Sequence, residues 1–100
     1  MSSTLERPDI RVVSRILEAL WKSGGPLRPT QLQQASGTNY SQFQRYLEFL
    51  RNRELLEVIE VDGNSRIRLT PKGVEAHAFL VQLISTLLSG SVEGYQTIRK

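Results

Sequence analysis

Cysteine is missing from this chain of 100 residues, histidine occurs once, and no apolar run is long. Each absence closes a class of function. Without cysteine there can be no disulfide and no thiolate metal site, which suits a reducing compartment. One histidine cannot build a common zinc site. No stretch approaches the roughly 18 apolar residues of a membrane span. Residues 1–8 lack the apolar core of a signal peptide, so the expected location is the cytoplasm. No P-loop, dinucleotide-type glycine pattern or nucleophile elbow is present. Glu54, Glu57 and Glu60 gather around a strand start and read as a solvated edge. The expectation is a protein that is not an enzyme and uses no cofactor or metal.

What is present fits one small domain. A composition of 39% hydrophobic and 23% charged residues is ordinary for a globular chain, which can bury one modest core at this length. The net charge of +3 permits an anionic partner without demanding one. Distribution says more. Arg45, Arg51, Arg53, Arg66, Arg68 and Lys72 load the middle of the chain, whose acids cluster at Glu54, Glu57, Glu60 and Asp62. Cations and acids can therefore occupy different faces.

Periodicity gives the elements. Residues 1–8 read as a disordered N-terminus. Asp9 can cap a first helix that runs to about Lys22, with Ile10, Val13, Ile16, Leu17, Leu20 and Trp21 as its inward stripe. Ser23-Gly24-Gly25-Pro26 stops it. Leu27 and Arg28 fit a very short strand. A second helix starts at Pro29-Thr30, with Thr30 as the expected cap and Leu32 and Ala35 facing inward, and ends at Ser36-Gly37. Asn39 followed three residues later by Gln42 has the capping-box pattern and opens a third helix reaching about Arg53, with Phe43, Tyr46, Leu47 and Leu50 inward. Residues 55–61 and 66–69 read as a hairpin around the turn Asp62-Gly63-Asn64-Ser65, with Arg66 and Arg68 on one face and Ile67 and Leu69 on the other. The inward face of the first strand stays open, because both of its faces carry apolar residues. Thr70-Pro71 begins a last helix that runs to about Ser89, before a flexible tail over residues 90–100.

The order helix, short strand, helix, tight turn, helix, hairpin, helix is that of a winged helix-turn-helix, an α+β and mostly helical fold. A three-helix core and a β-hairpin wing would form a DNA-binding domain over residues 9–70, followed by a long C-terminal dimerisation helix over residues 71–89. The third helix would stand clear of the body and enter a major groove about 12 Å wide. Gln42, Gln44 and Arg45 are suited to base edges. Asn39, Tyr40 and Ser41 are suited to phosphate, although Tyr40 and Tyr46 read equally well as core residues. Arg66 and Arg68 could reach a phosphate or the minor groove, or simply guard a strand edge.

The run Gly37-Thr38-Asn39-Tyr40-Ser41-Gln42-Phe43-Gln44-Arg45-Tyr46-Leu47-Glu48-Phe49-Leu50 resembles the helix-turn-helix of archaeal winged-helix DNA-binding proteins of the ArnR-like type. Leu69-Thr70-Pro71-Lys72-Gly73 resembles their junction from wing to last helix. That group includes a small chromatin-type protein that dimerises through a coiled coil of its C-terminal helices. The resemblance implies DNA binding by Tyr40, Ser41, Gln42, Gln44 and Arg45, and by Arg66 and Arg68. The chain departs from the group at Arg53-Glu54-Leu55, where glycine is common, and it is less basic than a packing protein needs to be.

In the last helix, Val74, His77, Val81, Ile84 and Leu88 are spaced 3, 4, 3 and 4 apart, a short heptad seam. Phe79, Leu80, Leu83 and Leu87 widen the apolar surface. A second copy of the same helix is the simplest cover. The expected function is a homodimeric, sequence-specific regulator of transcription that binds double-stranded DNA. The alternatives are a winged helix used for protein contact within a larger complex, and a chromatin-type non-specific binder.

Overall fold

A computed structural model describes residues 7–90. Of the expected disordered stretch 1–8 only Arg7 and Pro8 fall among them, and of the expected tail 90–100 only Gly90; the remainder lies outside the described residues. Helix α1 (Ile10–Ser23) starts where the Asp9 carboxylate accepts from the Arg11 backbone N–H at 2.8 Å. It buries Val12, Val13, Ile16, Leu17 and Leu20. The stripe is thus rotated from the one expected. Val12 joins the core, while Ile10 and Trp21, at the helix ends, stay exposed.

Helix α2 (Pro29–Ser36) is capped two residues earlier than Thr30 would place it. Arg28 is the cap residue, Pro29 takes the first helical position, and Gln31 Oε1 accepts from the Arg28 N–H at 3.0 Å. Leu32 and Ser36 are its buried residues, and Ala35 points outward. The helix ends at Gly37, whose φ of 74° is a left-handed backbone that glycine adopts without the cost a β-carbon imposes. Helix α3 (Tyr40–Asn52) follows after two residues, with Asn39 Oδ1 accepting from Gln42 N at 2.8 Å as the pattern predicted.

Strands β1 (Leu56–Val61) and β2 (Asn64–Leu69) pair antiparallel. The tip is tighter than expected. Only Asp62 (φ 54°) and Gly63 (φ 78°) form the turn, and Asn64 and Ser65 already pair with Val61 and Glu60. Two positive φ values in Asp-Gly match the twist of a two-residue hairpin. The register resolves the inward face of β1: Leu56 lies opposite Leu69, and Val58 opposite Ile67. Leu27 adds one bridge to Ile67, with N–H···O bonds of 2.9 and 2.8 Å.

Helix α4 (Pro71–Ser85) begins at Thr70, whose Oγ1 accepts from Gly73 N at 3.0 Å, and continues into a π-helical turn (Thr86–Gly90). Gly73 is buried so tightly that a β-carbon there would collide with the Leu55 carbonyl oxygen. The core is one cluster, drawn from α1, Leu32, Phe43, Tyr46, Leu50, Leu56 and Ile67, with Ala76 and Leu80 packed against it from α4. The architecture is a winged helix with four helices and a two-stranded hairpin.

Candidate nucleic-acid interface

Helix α3 has two unlike sides. Phe43, Tyr46 and Leu50 are buried. Ser41, Arg45, Glu48 and Asn52 follow at spacings of four, three and four, and all are exposed. These four share the face opposite the core, because each step returns close to one full turn. Gln42 flanks that face on one side and is exposed; Gln44 flanks the other and is half-buried. The amide of Gln44 lines a shallow depression with Arg45, Leu47, Glu48 and Arg51.

The N-terminal end of α3 is equally open. Tyr40 is 68% exposed, whereas Tyr46 is buried, its hydroxyl accepting from the Asp9 backbone N–H at 2.8 Å. The two tyrosines that sequence could not separate therefore have different surroundings. Tyr40 stands at the surface beside Asn39 and Ser41, and Tyr46 fastens the start of α1 to the inner side of α3.

The turn before α3 is held by a compact polar network. Ser36 is fully buried; its hydroxyl donates to Gln33 O at 2.6 Å and lies 2.7 Å from Thr38 Oγ1. Gln33 Nε2 donates to Thr38 O at 3.3 Å. Arg15 reaches across from α1, its Nε donating to Ser36 O at 2.9 Å, and its guanidinium lies over Gly37. Every polar atom of a buried turn must find a partner or cost about 1–3 kcal/mol. Here the partners also fix the direction in which α3 leaves. Arg15 is exposed on α1, and its reach to this turn, 21 residues further along the chain, comes from the packing of α1 against α2.

The wing is less open than its charges implied. Arg68 Nε donates to Glu57 Oε2 at 2.6 Å, across the strand pair that the register creates. Arg66 is half-buried, with Nη1 on the Ser65 carbonyl at 3.1 Å. The outward row of the hairpin is thus mixed, with Glu57 beside Arg68. An exposed pair of this kind contributes only about 0–1 kcal/mol to stability, so the Arg68 charge can be redirected at low cost.

On α4 the expected seam divides. Val74, Val81, Ile84 and Leu88 are exposed, but His77 is buried within the protomer. Its ring stacks on Trp21 (centroids 5.1 Å apart, planes at 23°), and Nε2 lies 2.8 Å from Glu18 Oε1. His77 therefore joins α4 to α1 and leaves the surface seam. From Val81 to Leu88 every residue is exposed, including Leu83, Ile84, Leu87 and Leu88, and Phe79 stands out at 74%.

Asp9 is the acid at this end of the molecule with a displaced titration. The Arg11 side chain bonds its carboxylate (Nε to Oδ1 3.2 Å, Nη2 to Oδ2 3.1 Å), the Arg11 backbone adds a second bond, and together they hold it below its ordinary value of 3.8. Among the described residues no three His, Asp or Glu side chains gather to hold a metal ion, and no helix is long and apolar enough to cross a membrane.

A sequence profile described as winged helix-turn-helix matches residues 6–87. No curated protein matches at a significant level. Among solved structures, F93 from STIV, a winged-helix DNA-binding protein, superposes with a TM-score of 0.74 at 16% identity, covering 84% of this chain and 98% of that one. Sso10a-2, a DNA-binding protein from Sulfolobus solfataricus, gives 0.63 at 18% identity over 94% and 99%. The homodimeric winged helix-turn-helix DNA-binding domain Mb0332 from Mycobacterium bovis, a possible ArsR-family transcriptional regulator, gives 0.59 at 22% identity over 77% and 68%. At these identities the likeness is one of fold.

Proposed function

Because the chain belongs to the winged helix-turn-helix family, we propose that it is a transcriptional regulator that binds double-stranded DNA as a homodimer, of the ArnR-like type that its helix-turn-helix resembles. The observation that carries this reading is the outer face of α3. Ser41, Gln42 and Arg45 are exposed on a helix whose other face is packed and whose entry turn is held by the hydrogen bonds of Ser36, Gln33, Thr38 and Arg15. Such a helix presents its polar groups to a groove without paying to organise them at the moment of binding.

In this reading Arg45, Gln42 and Gln44 contact base edges, the arginine suited to guanine and the amides to adenine. Asn39, Tyr40 and Ser41 lie where backbone N–H groups at a helix start meet phosphate. Arg66 and Arg68 serve the backbone or minor groove, Arg68 by turning its terminal nitrogens outward while Nε keeps Glu57. The copies meet through Val74, Val81, Ile84 and Leu88. Residues 81–88 are exposed on all sides, and so large an apolar surface needs a cover. A two-fold dimer sets the recognition helices on half-sites about 10 base pairs apart, or a multiple of that. The cytoplasm is the compartment this reading assigns.

The test is a titration of duplex binding against salt, with the mass of the protein measured in the same buffer. Affinity should fall linearly on a log–log scale as cations on the protein displace counterions. The mass should be twice 11.4 kDa. A second reading, protein contact, draws on Glu48. It places a carboxylate in the middle of the outer stripe, where it disfavours phosphate but can accept from cytosine or from a cationic partner. Absence of duplex binding even at low salt would select that reading.

A further inference from the structure

Away from α3, the loop after α1 and the start of α4 enclose an open cleft of about 490 Å³. That is within the range of small-molecule sites, about 300–1,000 Å³. Leu20, Leu69 and Val74 make its lining largely apolar, Val74 standing where the cleft meets the near end of the seam proposed above, and Gly25 borders it. Two further groups on its surface can recognise a ligand, Trp21 and Arg68.

Trp21 is 51% exposed yet held in place. His77 stacks against one face of the indole, and His77 is itself buried and bonded to Glu18. A ring fixed from behind offers stacking surface without an ordering cost. Arg68 uses Nε for Glu57. A guanidinium has five N–H donors, so four remain on the two terminal nitrogens, and no hydrogen bond to another described residue engages them. Those four point to an anion with a planar, bidentate group. Glu57 offsets part of the charge, so the ring must supply much of the affinity.

We propose that this cleft binds a small aromatic carboxylate, its ring against Trp21 and its carboxylate on the terminal nitrogens of Arg68. Arg68 lies on β2, so occupancy withdraws a cation from the wing and weakens duplex binding. This regulatory half rests on the DNA-binding reading above; the ligand site does not.

The probe is benzoate, read by the emission of Trp21, the only tryptophan in the chain. Benzamide keeps the ring without the charge, and acetate keeps the charge without the ring. Benzoate should give a saturable change, and both analogues should bind at least about tenfold more weakly, the scale of one charge-assisted hydrogen bond. Arg68→Gln should bring benzoate down to the level of benzamide and leave benzamide unchanged. Gly25→Leu should abolish benzoate binding while retaining the far-ultraviolet circular dichroism and the duplex affinity, since a side chain at Gly25 meets nothing within 4 Å. Benzoate should weaken duplex binding by the wild-type chain and not by Gly25→Leu.

Equal binding of benzoate and benzamide, or an Arg68→Gln chain that binds benzoate normally, overturns the site. So does emission that shifts with protein concentration and never with benzoate, which would mean that a second copy covers the cleft. Benzoate binding without any effect on the duplex overturns the regulatory half alone. Benzoate binding by a chain that ignores duplex DNA keeps the site and removes the DNA reading instead.

Discussion

Helices α3 and α4 both carry residues reserved for an outside partner, but they are held on opposite terms. The entry to α3 is tied by the Ser36, Gln33 and Thr38 network, by Arg15 from α1, and by Tyr46 to the start of α1. Its outer face is polar, and polar groups in water need nothing more. Helix α4 is tied at its first turns, by Thr70, Gly73 and His77, and from Val81 onward it is exposed throughout, with Val81, Leu83, Ile84, Leu87 and Leu88 making one broad side apolar and Gln82, Ser85 and Thr86 lying on the other. An exposed polar face can wait for a ligand. An exposed apolar face of that size is a demand for cover. The comparison teaches that one helix is held ready within the protomer, whereas the other would be completed only by the homodimer proposed above.

The largest effect expected is at the anchor of α4. Gly73→Ala drives a methyl into the Leu55 carbonyl and should cost about 3 kcal/mol, at the upper end of overpacking substitutions, as read by urea denaturation. A cost below about 0.5 kcal/mol, the size of a neutral surface change, would show that α4 is not seated as described. The distal half should behave differently. Leu88→Glu, at a residue 77% exposed, should convert dimer to monomer by light scattering and leave the unfolding slope of the monomer unchanged.

Helix α3 gives the intermediate effects. Arg45→Ala should cost about 1–3 kcal/mol of specific duplex binding, measured by anisotropy, and shift stability by less than about 0.5 kcal/mol. Equal losses in binding and in stability would break the separation of the two faces. Asn39→Ala removes the cap that accepts from Gln42 N and should lower stability by about 1 kcal/mol.

Much of this contrast was legible beforehand. Asp9, Asn39 and Thr70 work as caps because a short acceptor at a helix start needs no tertiary context. The inner side of α3 followed from the 3.6-residue period. What failed depended on neighbours distant in sequence. The periods admit either Ala35 or Ser36 as the inward residue of α2, and Ser36 takes the place with its carbonyl held by Arg15 from α1 and its hydroxyl bonded within the turn. His77 looked like a seam residue until Trp21 and Glu18, more than fifty positions earlier, closed over it. The link Arg53-Glu54-Leu55 lacks the glycine of its look-alikes, yet Glu54 takes the left-handed backbone at φ 62°, at a cost of order 1 kcal/mol, with its carbonyl bound by Thr70 Oγ1 at 2.5 Å. Within the candidate interface, residue type was legible and the Glu57 partner of Arg68 was not, because it required the strand register.

The smallest effect is one of pH. Arg11 holds Asp9 below 3.8, so its contribution is full above 3.8 and lost as pH falls through the depressed value in the folded state. Asp9→Asn should flatten the acid limb of a plot of melting temperature against pH and change little near neutrality. An acid limb of unaltered slope would mean that the Arg11 bridge does not form in solution.

The absence of cysteine makes the central claim directly measurable, since one introduced thiol carries one label. A photo-crosslinker at Gln42→Cys, on the outer side of α3, and another at Leu88→Cys, on the exposed seam of α4, can be compared on the same duplex. The account expects Gln42→Cys to crosslink to DNA and Leu88→Cys to crosslink to protein. DNA adducts from position 88 with none from position 42 would contradict it.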